Sequence, residues 1–262
     1  MYETLTLAVD SRGVATITLN RPDARNALSA MMIAELTEIA RALPQRPGVR
    51  VVVLQGAGAV FCAGGDLAWM RAQIAADRAT RLDAARQLAH MLQALNEMPL
   101  PLIGRIHGGA YGGGVGLACV CDVAVAAEDT RFGLTETRLG LIPATIGPYV
   151  IARIGEGAAR RIFFSARIFG APEARALGLI GDHAADLDAA VEAELTPYLS
   201  TAPGAVAAAK AMTRALSTPI GPAEIEASIA RLADIWDGAE AAEGIDAFFA
   251  RRAPAWMPPK PR

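Results

Sequence analysis

The 262-residue chain has no excess of charge of either sign: 25 lysines and arginines face 27 aspartates and glutamates, a formal net charge of −2. Its cationic residues are scattered, so no basic field marks nucleic acid as the main partner. No apolar run approaches the roughly 20 residues that cross a bilayer. The opening "MYETLTLAVD" lacks a basic segment followed by an apolar one. Neither a membrane anchor nor a signal peptide is therefore expected. Cysteine is scarce and odd in number: Cys62, Cys119 and Cys121 sit in apolar surroundings, as small core residues of a reducing, cytoplasmic protein do. A single Cys-x-Cys with three dispersed histidines matches no zinc spacing, so no metal is expected.

Several common enzyme motifs are missing too. "QGAGAVF" follows a strand pattern, but Phe61 stands where a dinucleotide-binding turn needs its third glycine, and Leu117 does the same in "GGGVGL". No glycine-rich loop ends in Lys-Ser/Thr, and no Gly-x-Ser-x-Gly elbow is present.

What is present is a large apolar core, with 53% hydrophobic and 20% charged residues, enough for one large domain or a core with an appendage. "LTLAVD" and "VATITLN" alternate around "SRG" and predict a hairpin. Ser29 is placed to cap a helix that Pro44 and Pro47 stop. "VRVVVLQG", "LIGRI" and "DVAVAA" read as strands buried on both faces. One long helix is expected from Ala68 to about Glu97. Alternating strands and helices predict an α/β core with repeated crossovers. From about Asp188 the pattern turns helical until the proline-rich tail "APAWMPPKPR".

Two strand-to-helix junctions carry the chemistry: "FCAGGDL" at Phe61–Leu67 and "HGGAYGGGVGL" at His107–Leu117. Each strand ends in glycines before a helix, leaving backbone N–H groups unpaired and open to close approach by a ligand. Side by side, two such junctions can aim two donors at one oxygen, an oxyanion hole worth about 2.7–4 kcal/mol per donor. The alternative for either glycine cluster is tight helix–strand packing. Asp66 reads as the cap of the helix starting near Leu67, and Asp122 and His107 as structural. Tyr149 reads as core or as the wall of a pocket. Trp69 and Met70 open the helix that Asp66 caps, and Phe248 and Phe249 form a packing face with Ile245.

"NRPDARNALS", "FCAGGDL", "GGAYGGGVGLACVCDVAVAAEDTRFGLTETRLGLIP" and "EARALGLI" resemble, in order and over nearly the whole chain, the crotonase superfamily of enoyl-CoA hydratases and isomerases. The resemblance implies a spiral of ββα units over residues 1–195 with the acyl-CoA site. It further implies a helical oligomerisation region over residues 196–262, forming a homotrimer or a dimer of trimers. It makes Gly65 and Gly113 the oxyanion donors and Glu136 the acid–base. Substrate contacts fall on Arg25, Ala27, Ala63, Gly65, Asp66, Leu67, Gly112, Gly113 and Pro143. Coenzyme A arrives as part of the acyl-CoA thioester substrate, so no separate cofactor is implied.

One position departs from the pattern. Many hydratases of this family carry a second glutamate where this chain has Gly116, which is expected to face the acyl pocket beside Glu136. Loss of that carboxylate suits an isomerase, which needs one base. However, "FCAGGDLAWMR" and "ETRLGLIPATIGPYVIARIGEGAARR" look closer to bacterial methylglutaconyl-CoA and isohexenylglutaconyl-CoA hydratases. Substrates of that branch carry their own carboxylate. Hydratase is therefore the expected activity, with the isomerase and a non-catalytic acyl-CoA-binding relative as alternatives.

Overall fold

Leu5–Val9 (β1) and Val14–Leu19 (β2) pair antiparallel, as their alternation predicts, through a turn in which Gly13 takes φ 87°. The architecture comes from a computed structural model that describes residues 2–217 and 219–258; the last four residues of the C-terminal region lie outside it. Ser29 caps Ala30–Ala42 (α1) by accepting the Met32 N–H, and Pro44 diverts the chain into a short 3-10 turn. Val51–Gly56 (β3) follows.

The expected single helix is two, Leu67–Ala75 (α2) and Arg78–Glu97 (α3). Ala76 is extended, and Asp77 accepts the Thr80 N–H as a fresh N-cap. A short polar side chain competing for the backbone explains the break. Leu102–Ile106 (β4), Gly109–Tyr111 (β5), Gly113–Val120 (α4), Val123–Ala127 (β6) and Arg131–Gly133 (β7) come next. Then follow Gly147–Phe163 (α5, kinked at Gly155), Ile168–Gly170 (β8), Ala171–Ala176 (α6), Asp182–Ala184 (β9) and Leu187–Leu195 (α7). Pro203–Ala215 (α8), Pro222–Trp236 (α9) and Ala239–Phe249 (α10) close the described chain.

Six strands form one sheet in the order β1-β2-β3-β4-β6-β9, parallel after the first pair. A smaller sheet, β5-β7-β8, lies beside it. Isolated parallel bridges, Cys62 to Ala110 and Leu28 to Gly65, extend the small sheet backward through the chain. Each turn thus gives one strand to the large sheet, one extended segment to the small sheet, and then a helix: the ββα spiral. Val51, Val52, Val53 and Leu54 are all buried because both faces of the large sheet are covered. One face packs on the main core, and α7 covers the other by setting Leu187, Val191 and Leu195 against Val51, Val53 and Ile103.

The C-terminal helices fold back onto the core. Ile225 and Ile229 of α9 pack on Ala85 and Ala89 of α3, while Ala241 and Ile245 of α10 pack on Met70 and Leu141. The α8 helix buries no side chain of its own. Lys210 Nζ ties it down, donating to Leu100 O (3.0 Å) and Asp122 Oδ2 (2.7 Å).

The loop before α1 holds a residue that sequence reading passes over. Asn26 is fully buried at φ 53°, and its Nδ2 donates to Ala57 O (2.8 Å) and Val60 O (2.9 Å) while Oδ1 accepts the Arg21 N–H (2.9 Å). It clamps the β2–α1 loop to the β3–α2 loop. Asn26→Ala leaves those groups unpaired, at about 1–3 kcal/mol each. The expected loss is about 3 kcal/mol or more, read from the urea midpoint.

Candidate active site

The parallel bridges bring the two glycine junctions into contact. Cys62 N–H donates to Gly109 O (3.1 Å) and Tyr111 N–H to Cys62 O (3.0 Å), while Leu28 N–H donates to Gly64 O (2.8 Å). Gly64 Cα consequently lies 3.9 Å from where a Cβ on Gly112 or on Gly113 would stand. Among the described residues, neither the Gly65 nor the Gly113 N–H has a protein acceptor. Gly113 is the first residue of α4, so its free N–H sits at the positive end of that helix. The glycine run is bare because its neighbours fill the space. A Cβ on Gly113 would strike Leu28 Cδ1 at 2.7 Å, and one on Gly112, at φ 48°, would lie 2.9 Å from Glu136 Oε1.

Glu136 opens a 3-10 turn, Glu136–Leu139, that follows β7 directly. Gly112 N–H donates to Gly133 O (2.9 Å) and so holds this segment against the junction. Glu136 Oε2 is sealed from solvent without a hydrogen-bond partner. Burial pushes the carboxyl from its ordinary 4.5 up to about 7, against the opposing hydrogen bond from its own backbone N–H. A carboxyl so placed exchanges protons near neutral pH.

Of the remaining expected substrate contacts, Arg25, Ala27, Ala63, Asp66 and Leu67 lie together. Arg25 and Asn26 both take left-handed backbone, and Arg25 O accepts the Ala63 N–H (3.0 Å). Asp66 caps α2 by accepting from Ala68 and Trp69, and it pairs with Arg21 at 2.8 Å. Partial burial works to raise its pKa, but the Arg21 hydrogen bond and the two N–H donors hold the carboxyl below its usual range. Arg21 also donates to Ala27 O (2.7 Å), which fixes the loop beside the exposed Leu67. Pro143 is buried between the Glu136 turn and α5. Arg21, like Asn26, escaped notice because both read as loop residues around "RPDA".

Other candidates fall to the fold. His107 Nε2 bonds Gly58 O (2.8 Å), and Tyr149 is buried in the main core with its hydroxyl unpartnered. Phe249 lies under the Arg71 guanidinium, 4.3 Å from its ring centroid. Among the described residues no group of three or more His, Cys, Asp or Glu is arranged to hold a metal ion. Among the same residues no helix is long and apolar enough to cross a membrane.

The model of the enoyl-CoA hydratase/isomerase family matches residues 10–259. The chain belongs to that family. A crystal structure of an enoyl-CoA hydratase from Mycobacterium avium superposes with TM-score 0.85 at 34% identity, covering 98% of this chain and 100% of that one. Pseudomonas aeruginosa AtuE gives TM-score 0.77 at 41% identity, covering 97% and 99%. Human mitochondrial methylglutaconyl-CoA hydratase is 34% identical over 176 residues, 66% of this chain and 51% of that protein.

One expectation drawn from the family pattern is corrected by packing. Gly116 is buried in α4, and a Cβ there would collide with the Ile146 side chain, standing 3.0 Å from Ile146 Cβ and 3.7 Å from Leu92 Cδ2. The position does not open onto a pocket beside Glu136; Ile146, just before α5, fills that room. Gly116 is bare for packing. Gly116→Glu therefore overpacks the core and buries a carboxylate, costing about 3 kcal/mol or more. Ile146→Ala in the same chain recovers part of that loss, as coupled neighbours do. Denaturant unfolding of the single and double variants checks both statements.

The raised pKa of Glu136 also links stability to pH. A carboxyl whose folded pKa lies above its unfolded value favours the fold while neutral. That advantage is fully present below about 4.5 and is lost as pH rises through about 7. Glu136→Gln removes the loss, so at pH 9 the variant outlasts wild type by up to about 3 kcal/mol, and at pH 5 the two converge. Thermal melts across pH 5–9 measure it.

Proposed function

We propose that the chain hydrates the 2,3-double bond of an enoyl-CoA thioester whose acyl group carries its own carboxylate. The observation that carries this reading is a single desolvated carboxyl, Glu136, held against the junction where Gly65 and Gly113 leave two N–H groups unpaired. Those two donors receive the thioester oxygen. Ionised Glu136 takes a proton from water as the water oxygen bonds to C3, and the displaced electron pair moves onto the thioester oxygen as an enolate. The same proton then returns to C2. Both N–H groups bind the enolate more strongly than the starting carbonyl, which is where the rate is gained.

The rim formed by Arg25, Ala27, Ala63, Asp66 and Leu67 is where coenzyme A lies in this reading, with Gly112 and Pro143 against the acyl portion. No other cofactor enters. Kinship with a methylglutaconyl-CoA hydratase supports the substrate class. The region 196–262 is proposed as the oligomerisation surface of a homotrimer or a dimer of trimers, since Met212, Leu216, Ile235 and Phe248 expose apolar surface there. A cytoplasmic setting suits three buried, free cysteines.

A second reading has its own support. With Ile146 filling the space beside Gly116, one carboxyl is left to work, and one base suffices to move a double bond from position 3 to position 2. Separate assays of hydration and isomerisation on crotonyl-CoA, a 3-enoyl-CoA and a glutaconyl-type thioester decide between them. Under either reaction Glu136→Gln lowers kcat by about 10²–10⁴-fold while acyl-CoA affinity stays within a few-fold. In wild type kcat/KM rises with pH through about 7, following ionisation of Glu136. A variant retaining most of its kcat removes Glu136 from the mechanism.

A further inference from the structure

The turn that carries Glu136 is seated on α10, a helix from the far end of the chain, and the contact is main chain on main chain. Gly140, which ends the turn at φ 66°, faces the start of α10: a Cβ there would collide with Glu240 O and stand 2.8 Å from Ala241 N. Gly244, one helical turn further along α10, is buried against the turn itself. A Cβ on it would collide with the Leu139 carbonyl carbon and stand 2.5 Å from its oxygen, with Trp256 Cη2 at 2.8 Å on the other side. A helix interior favours alanine over glycine, so the bare position answers to this contact and not to the helix. Main-chain atoms have no rotamer to change, so a side chain at 244 must part the helix from the turn.

The segment under Gly244 is the one that fixes Glu136. Leu141 N–H donates to Glu136 O (3.1 Å), and the Gly140 N–H is shared between Glu136 O and Thr137 O. The Leu141 side chain packs with Ala241 and Ile245 of α10, and Leu139 joins that cluster. On its other side the turn meets the glycine junction, where Glu136 Oε1 lies 2.9 Å from the place of a Cβ on Gly112. Met70, in the same cluster, lies 3.9 Å from the place of a Cβ on Gly65. One apolar contact with α10 therefore backs both the turn and the Gly65 junction.

We propose that Gly244 is a positioning residue for Glu136: its missing side chain lets α10 rest directly on Leu139 and so sets where the Glu136 carboxyl is held. This rests on the reading of Glu136 as the acid–base. Alanine at 244 lifts the turn, water reaches the carboxyl, and the desolvation that raises its pKa is relieved. The ionisable groups on the surrounding elements are Arg138 in the turn, Glu240, Glu243 and Asp246 on α10, Arg71 on α2, and Tyr111 and Arg131 on β5 and β7. None of them contributes to that shift. Glu243 and Asp246 are paired with Arg252, and Arg71 lies over Phe249. Burial is thus what the substitution alters.

The test follows the Glu136 carboxyl directly, by carbon-13 NMR of the intact protein labelled at glutamate Cδ, with Glu136→Gln assigning the signal. Wild type titrates with a midpoint of about 7. In Gly244→Ala the midpoint is expected to fall to about 6 or below, toward the ordinary 4.5. The pH at which kcat/KM rises moves with it, and kcat falls about 10-fold or more while acyl-CoA affinity stays within a few-fold, as for a displaced catalytic group. Gly204→Ala, on α8 where an added Cβ meets nothing within 4 Å, leaves all three unchanged. Ile245→Val trims the same contact without adding an atom, and it serves with a smaller fall in the same direction if Gly244→Ala does not fold. A Gly244→Ala protein that loses stability in urea yet titrates and turns over as wild type does overturns the positioning role. So does a loss of kcat with the Glu136 midpoint unmoved. A wild-type Glu136 that already titrates near 4.5, or a fully active Glu136→Gln protein, overturns the acid–base reading instead, and this inference with it.

Discussion

The constraint on which the site depends is the close approach of two backbones. Gly64 stands so near the 111–113 backbone that a Cβ on it would lie 2.8 Å from Tyr111 O and 3.7 Å from Gly113 N. Parallel bridges at Cys62–Ala110 and Leu28–Gly65 hold the junctions in that register. Because hydrogen bonds on both sides fix the peptide planes, the unpaired Gly65 and Gly113 N–H groups are held in fixed directions, as the proposed oxyanion role requires. Preorganised donors need little reorganisation during reaction, and this is the main source of their electrostatic effect.

Around that contact the protein accepts a destabilised group. Glu136 is half-buried, with Oε2 sealed from solvent without a hydrogen-bond partner and, among the described residues, no cation beside it. Desolvation disfavours its charge, and the resulting proton affinity near neutrality is what general acid–base chemistry requires. The surroundings hold it through packing: α10 lies over the turn, with Ala241 and Ile245 in a cluster with Leu141 and Met70. The helix that covers the turn, α10, and the helix α2 thus share one apolar contact. Asn26 and Arg21 do comparable work on the opposite rim, where buried polar bonds set the loops leading into the junctions.

The spiral explains how residues so far apart in sequence meet. Each turn deposits one more extended segment beside the last in the small sheet, so segments near 28, 65, 110 and 132 become neighbours in order. The site forms along their ends, where each segment gives way to a helix or turn. Binding at the ends of sheet strands is the general habit of α/β proteins, because backbone groups there are not consumed by the ladder.

Sequence alone determined the local elements and the chemistry on offer. The hairpin, the Ser29 cap, the fully buried strands and the two glycine junctions follow from apolar periodicity and capping residues, which act over a few positions. The break between α2 and α3 was also local, but Asp77 is one polar residue in an otherwise helical stretch, and its capping bond is what reveals it. Tertiary structure decided everything that depends on what stands opposite a residue. Gly116 reads as a missing acid by comparison with relatives, yet Ile146, thirty positions later, occupies that space. Asn26 reads as a loop residue until Ala57 and Val60 present their carbonyls to it. Gly244 is one more glycine in a helical stretch until the Leu139 main chain stands against it. Periodicity tells which face of an element is turned inward; only packing tells what that face meets.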